Sequence, residues 1–413
     1  MRSESMTISG TLIEPGDDGS LNPREGTLRI VGDRIVAVES GLTDHPDLGG
    51  PGYLISPGFV DAHLHLPQFD SIGVAGLELL DWLETVIFPA ETRWADTAFA
   101  RSMAERVGGQ LLRAGTTSIA AYATSHAAAA QAAIEVLGGM GFSGHVGLVL
   151  MDQNGPTGLL VGRDEAMAGC RGLKGFGRIR PSINPRFAVA CSMELMQAAA
   201  QLAKETGWRL QTHLAETVAE IEAVRRIHGA AYVDVYDRAG LLGPGSLMAH
   251  GVHLSDEDLN TLRARGSVVV HCPTANRFLR AGGMDWERTR ASGVAVAVGS
   301  DVAGGPDRCM VKVAKGMLEN AGSSLTAGEA WWRITRGNAL CLGMEDVGRL
   351  AVGSRSDILV LRPDLRLGAT ADPLAPIIYG WDDRWLEAAV LGGQVTTHCG
   401  DTRFGSWETA GLS

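Results

Sequence analysis

Two histidines one residue apart, His63 and His65, close an apolar run that then turns on Pro67 in the stretch GFVDAHLHLPQ, residues 58–68. On a β-strand alternate side chains share a face, so the two imidazoles stand together at the strand's end, spaced to clamp one metal ion. The same pair would equally mark a point where a strand leaves the core, and only further ligands separate the two readings. Candidates recur down the chain. His213 and Glu216 lie in THLAE, His250 in MAHGVHLS, His271 in VVVHCPT and Asp301 in VGSDVAGG, each at the end of an apolar run. Taken singly, a strand-end Asp caps a helix and a lone His is a hydrogen-bonded structural residue. Taken together, several imidazoles and a carboxylate suit zinc or iron(II), with water completing the sphere and polarised toward a pKa of about 7.

Such convergence needs a scaffold that brings many strand ends to one rim. Between residues 54 and 303, eight apolar runs alternate with helical patterns: LISPGFVDAHLH, TTSIAAYAT, HVGLVLMDQ, IRPSINPRF, RLQTHLAE, SLMAHGVHL, SVVVHCPTAN and VAVAVGSDVA. Helical spacing covers Thr97–Ala114, Met193–Thr206, Thr217–His228 and Asp256–Arg265, the last opened by Ser255 as N-cap with acidic residues in its first turn. Eight β-then-α units predict an α/β protein, a (β/α)8 TIM-type barrel whose chemistry sits at the C-terminal ends of its strands. A doubly wound sheet is the alternative, but no G-x-G-x-x-G follows an early strand. Short strands broken by glycine turns fill Met6 to about Tyr53, Val347–Pro363 and Trp385–Gly400. Both chain ends are therefore expected to build one small β-sandwich domain, residues 1–55 and 346–413, around a catalytic barrel at 56–345.

Composition narrows the function. The 413 residues are 45% hydrophobic and 20% charged, enough to bury a large core, and the formal net charge is −11. Basic clusters are short, which argues against a nucleic-acid partner. No run approaches the roughly 20 apolar residues of a membrane span, and Met1–Gly10 has no apolar signal core, so no membrane is expected and the cytoplasm is the expected compartment. Cys170, Cys191, Cys272, Cys309, Cys341 and Cys399 lie far apart without C-x-x-C, the pattern of buried thiols rather than of a disulfide framework or a structural zinc site.

The chain resembles the amidohydrolase superfamily, and within it the guanine deaminases, nearly end to end. The resemblance rests on PGFVDAHLHLPQF, LLDWLETVIFPAE, GTTSIAAYATSH, NPRFAVACS, THLAE, AHGVHLSDEDL, HCPTAN, GSDVAGG and YGWDDRWLEAAVLGGQ. The H-x-H and THxxE signals are shared across the superfamily; HLPQ, PRF and SDVAGG are narrower. The resemblance implies one divalent metal, zinc or else iron(II), held by His63, His65, His213 and Asp301. The carboxylated lysine of two-metal relatives has no counterpart in IRPSINPRF. It further implies Glu216 as general acid/base, His250 orienting the attacking water with Asp301, no organic cofactor, a homodimer, and hydrolysis of guanine to xanthine and ammonia.

For the substrate, Arg186 is a permanent donor suited to a purine carbonyl, Gln68 both donates and accepts at a ring edge, and Phe187 offers a flat surface, with His213, Glu216 and Asp301 completing the contacts. The plainer reading makes Arg186 an ion-pair residue and Phe187 barrel packing. Where the family commonly has HCPNSN and GTD, this chain reads HCPTAN and, at Gly299–Asp301, GSD. Those departures flank the ligands, which leaves 8-oxoguanine, a pterin or a triazine as alternative substrates of the same barrel. A cyclic-amide hydrolase is disfavoured by the missing lysine, and an inactive scaffold by the intact ligand set. The zinc deaminases that take bases out of nucleic acid carry H-x-E with P-C-x-x-C, and neither occurs here. His271 either contacts the site or only shapes the turn at Cys272 and Pro273. Leu77–Glu91, with Trp82 and Phe88, is apolar enough to cover a pocket, as an ordinary core helix would also be. His253 is expected to face solvent, and His45, His126, His145, His228 and His398 to be structural.

Overall fold

The computed structural model describes residues 5–369 and 371–398. Four strands come first: β1 (Ser5–Leu12), β2 (Arg24–Val31), β3 (Arg34–Ser40) and β4 (Leu48–Pro57). The eight expected runs then each supply a strand: β5 (Phe59–His65), β6 (Thr116–Tyr122), β7 (Ser143–Leu150), β8 (Arg178–Pro185), β9 (Arg209–Leu214), β10 (Leu247–His250), β11 (Val268–His271) and β12 (Ala295–Val298). Neighbours pair in parallel and in chain order, the pattern of a (β/α)8 barrel. The last strands, β13 (Ile358–Leu361), β14 (Leu386–Leu391) and β15 (Gln394–His398), return to the first four.

Both chain ends thus form one separate seven-stranded sheet, in the order β15-β14-β13-β4-β1-β2-β3. It has its own apolar cluster, built around Ile8, Leu28, Ile35, Ile55, Ile358 and Val390. Cys399 and the tail after it lie outside the described residues. The run LISPGFVDAHLH, read from sequence as one strand, is divided between the two sheets: β4 pairs with β1 and β13, and β5 with β6. Gly58 is the crossing point. A Cβ there would lie 2.1 Å from Thr117 Oγ1, so only glycine lets the chain pass this close to β6.

Local signals set the helix boundaries. Val218–His228 and Asp256–Arg265 start on reciprocal capping boxes, Thr217 with Glu220 and Ser255 with Asp258, and both end on left-handed glycines. Met193–Thr206 is capped by Ser192 and stopped by Gly207, and Thr97–Arg113 is capped by Asp96. These helices pack their apolar faces on the outer surface of the barrel in one continuous core.

Closure of the barrel is the exception to regular pairing. β12 and β5 share no ladder among the described residues, and buried polar groups join them instead. Asn338 Nδ2 donates to the carbonyls of Val60 and Val298, both at 2.7 Å, while its Oδ1 accepts from Val298 N at 2.8 Å. Asp61 accepts from Ser300 N at 3.0 Å and from its hydroxyl at 2.5 Å. Farther up, Asp301 N donates to His63 O at 2.8 Å and His65 N to Val302 O at 3.0 Å. Burial pushes the Asp61 carboxyl up to about 7, against the lowering effect of its Ser300 and His63 hydrogen bonds.

Replacing Asn338 with leucine strips two carbonyls and one amide of their buried partner. At about 1–3 kcal/mol for each orphaned group, the variant should lose at least about 3 kcal/mol in urea unfolding, and a loss below about 1 kcal/mol would show that the seam closes without it.

Candidate active site

β5 delivers His63 and His65 to the rim with ring centroids 5.0 Å apart, and β9 brings His213 to within 4.8 Å of the first and 5.1 Å of the second. His213 Nδ1 lies 2.5 Å from the carbonyl of Arg186, which places its proton on Nδ1 and leaves the Nε2 lone pair facing inward. His250, ending β10, is oriented in the same way by Asn276, whose Oδ1 is 2.9 Å from Nδ1. Asp301, three residues beyond β12, closes the group: Oδ1 is 3.3 Å from Nε2 of both His63 and His65, and Oδ2 is 3.9 Å from His250 Nε2. His65 and His213 approach Nε2 to Nε2 at 3.1 Å.

The arrangement suits a cation. His63, His213, His250 and Asp301 each offer one ligand atom within 4.8 Å of the others, and His65 Nε2 abuts two members of that set. His63 Nε2 is buried without a hydrogen-bond partner. Burial drives all three neighbouring imidazoles toward the neutral form, His65 down to about 4 and His213 well below its ordinary value. Burial alone would raise Asp301, but its contacts with His63 and His65 and the nearby His250 hold it well below the carboxylate range. The result is an anionic centre ringed by bare nitrogen lone pairs, the donor set that zinc and iron(II) take.

Glu216 sits beside this centre in the opposite state. Burial, then the negative charges of Asp301 and Glu220, raise its carboxyl well above the ordinary range, which favours the protonated form. Its Oε2 is 3.5 Å from His250 Nε2 and its Oε1 is buried without a partner. Glu220 fixes the turn that presents it, accepting from Glu216 N at 2.8 Å and from the Tyr232 hydroxyl at 2.5 Å. Ala215, His250 and Asp301 all have left-handed backbones, with φ of 49°, 74° and 48°. Non-glycine residues adopt that conformation at a cost of about 1–3 kcal/mol, which the packing around them must offset.

The adjoining cavity is partly open, and its space, counted out to the solvent at its mouth, is about 390 Å³. Gln68, Arg186, Phe187, His213, Glu216 and Asp301, the six residues expected to meet a substrate, all line it. The segment 77–91 is its cover: it folds as Leu79–Trp82, a wider turn at Leu83–Ile87, and Phe88–Thr92, and turns Leu79, Trp82 and Leu83 into the cavity. Phe88 lies instead against the Arg186 guanidinium, 5.2 Å from its ring centroid. His271 is buried with both nitrogens unpartnered and is held near 3 by burial and by His250; it does not line the cavity. His253 is exposed and bonds Ala281 O at 2.8 Å, while His145 and His228 bond the carbonyls of Leu342 and Ala188.

Sequence reasoning missed three residues: Asn276, Glu220 and Glu91. Glu91 is 2% exposed and binds both Arg186 and Gln68, at 2.6 and 2.8 Å. The available signal was an acid ending the apolar run LLDWLETVIFPAE, because a buried carboxylate requires a partner.

The model of the amidohydrolase family matches residues 54–396. A guanine deaminase of Escherichia coli (strain K12) is 33% identical over 379 residues, covering 88% of this chain and 84% of that protein. Among solved structures, E. coli guanine deaminase superposes with a TM-score of 0.90 at 29% identity, over 95% of this chain and 99% of that one. Guanine deaminase from C. acetobutylicum, crystallised with guanine bound in its active site, superposes with a TM-score of 0.88 at 27% identity, over 95% and 100% of the two chains.

A cation held by these lone pairs stabilises the folded chain. Zinc restored to chelator-treated protein at a hundredfold excess over Kd should add about 2.7 kcal/mol in urea unfolding, and His63→Ala should abolish most of that gain.

Proposed function

The chain belongs to the amidohydrolase family, and we propose that it hydrolyses guanine to xanthine and ammonia. The reading is carried by one observation: Asp301, set among His63, His65 and His250, and Glu216, 3.5 Å from the same His250, face a single cavity, so a reaction needing both a base and an acid finds two buried carboxyls there. The activity named for its relatives supports the same reading.

His63, His65, His213 and Asp301 are the proposed ligands of one divalent metal, zinc or in second place iron(II). When bound, that ion supplies the Lewis acidity that makes water a nucleophile near neutral pH. Asp301 and His250 accept the proton of the water that attacks the carbon bearing the exocyclic amine. Glu216 gives its own proton to the neighbouring ring nitrogen, which draws electrons away from that carbon; it then takes the proton of the added hydroxyl as the carbonyl forms and passes it to the departing amine, and the proton first taken from the water returns to Glu216 to restore the starting state. Arg186 donates to the base's carbonyl oxygen, Phe187 packs against its face, and Leu79, Trp82 and Leu83 keep bulk water from the developing charges. A homodimer, which the resemblance implies, and the cytoplasm as the compartment stand as parts of the same proposal.

Glu216→Gln should retain metal yet lose activity by about 10² to 10⁴-fold, measured as ammonia release; near-normal turnover would remove Glu216 from the chemistry. Arg186→Ala should lower kcat/KM for guanine by about 2 kcal/mol or more. A panel of guanine, 8-oxoguanine, a pterin and a triazine should show guanine as the best substrate, and a higher kcat/KM for any of the others would displace it.

A further inference from the structure

Glu91 does not line the cavity, yet it controls two residues that do. Glu91, Gln68 and Arg186 are 2%, 2% and 3% exposed. Glu91 Oε2 is 2.6 Å from an Arg186 terminal nitrogen and Oε1 is 2.8 Å from Gln68 Nε2. The three elements concerned are distant in sequence: Gln68 follows β5, Arg186 follows β8, and Glu91 belongs to the helix Phe88–Thr92 in the cover.

The chemistry of these bonds is one-sided. A carboxylate paired to a guanidinium only accepts, whereas a glutamine amide presents either a donor or an acceptor depending on how it is turned. Only the NH2 end of Gln68 can meet Glu91. Its Oε1, which takes no hydrogen bond among the described residues, is thereby left to the cavity as an acceptor. Arg186 gives one nitrogen to Glu91 and lies over the Phe88 ring, 5.2 Å from its centroid, so its remaining N–H groups are the donors.

We propose that Glu91 is a positioning residue that sets base specificity, by fixing Gln68 as an acceptor and Arg186 as a donor before any substrate arrives. The inference rests on the guanine reading above and sharpens it. A purine carrying a ring carbonyl beside an N–H matches both groups. A purine with an amine in place of that carbonyl meets Arg186 with a second donor, and a buried polar site rejects such a mismatch more strongly than shape alone. In Glu91→Gln the new amide can donate, so Gln68 is free to turn its NH2 toward the cavity, and the recognition pattern is lost while the packing volume is kept.

The test is equilibrium binding in the Glu216→Gln background, which leaves the base unreacted, with guanine and 2,6-diaminopurine as probes. They share the amine at the reacting carbon and differ at the carbonyl. Adding Glu91→Gln should raise Kd for guanine at least about tenfold while that for 2,6-diaminopurine changes less than about threefold, at unchanged metal content. Glu91→Asp keeps the charge but withdraws it by one methylene, and should give an intermediate preference; it also serves if the first variant folds poorly. Gln68→Ala added to Glu91→Gln should cost less than Gln68→Ala alone, because the two act as a unit. Equal weakening of both bases, no weakening of either, or full additivity overturns the proposal. Turnover of guanine by the unaltered protein tests the deaminase reading separately.

Discussion

The structure depends on how the barrel is shut. Seven of the eight junctions between neighbouring strands are ladders, whose register follows from backbone pairing; the eighth, between β12 and β5, is made by Asn338, Asp61 and Ser300 together with two backbone hydrogen bonds beyond the end of β12. Side-chain hydrogen bonds in a dry interior are strong only when every partner is satisfied, and here the two carbonyls and the amides that would otherwise be orphaned each find one. The consequence is chemical. Asp61 and Ser300 are 239 residues apart, and clasping them sets His63 and Asp301, their neighbours, face to face. The same joint that completes the scaffold assembles the centre.

Around that joint the protein buries many titratable groups at once, and their charges are resolved against one another. His213 and His250 each meet a partner through Nδ1, Arg186 O or Asn276, which turns Nε2 inward, and the contacts of Asp301 with the surrounding imidazoles hold its carboxyl low. Burial first, and then that charge acting in the same dry space, push the Glu216 carboxyl up. Acid and base are thus produced by one arrangement rather than tuned separately. The left-handed backbones at Ala215, His250 and Asp301 are concentrated where this arrangement demands an unusual exit from a strand.

The cover has a double part. Its apolar residues line the cavity, and its single buried acid reaches down to the polar wall, so one segment touches both the apolar and the polar side of the cavity. An arginine at that depth without Glu91 would be an uncompensated charge, which is the physical reason the ion pair belongs to the cover and not to the barrel alone.

The sequence by itself determined which residues could do chemistry and where along the chain each strand would end. The apolar runs, the N-cap at Ser255 and the histidines at strand ends are local signals, set by backbone sterics and by the hydrogen-bonding needs of helix termini, so they survive translation into structure. Tertiary structure alone decided the break at Gly58 between two sheets, the seam at Asn338, the tautomers of His213 and His250, and the partnership of Glu91 with Gln68 and Arg186. Each of those is a contact between segments far apart in the chain, governed by which buried polar group has no other partner within reach, and a linear pattern carries no record of that.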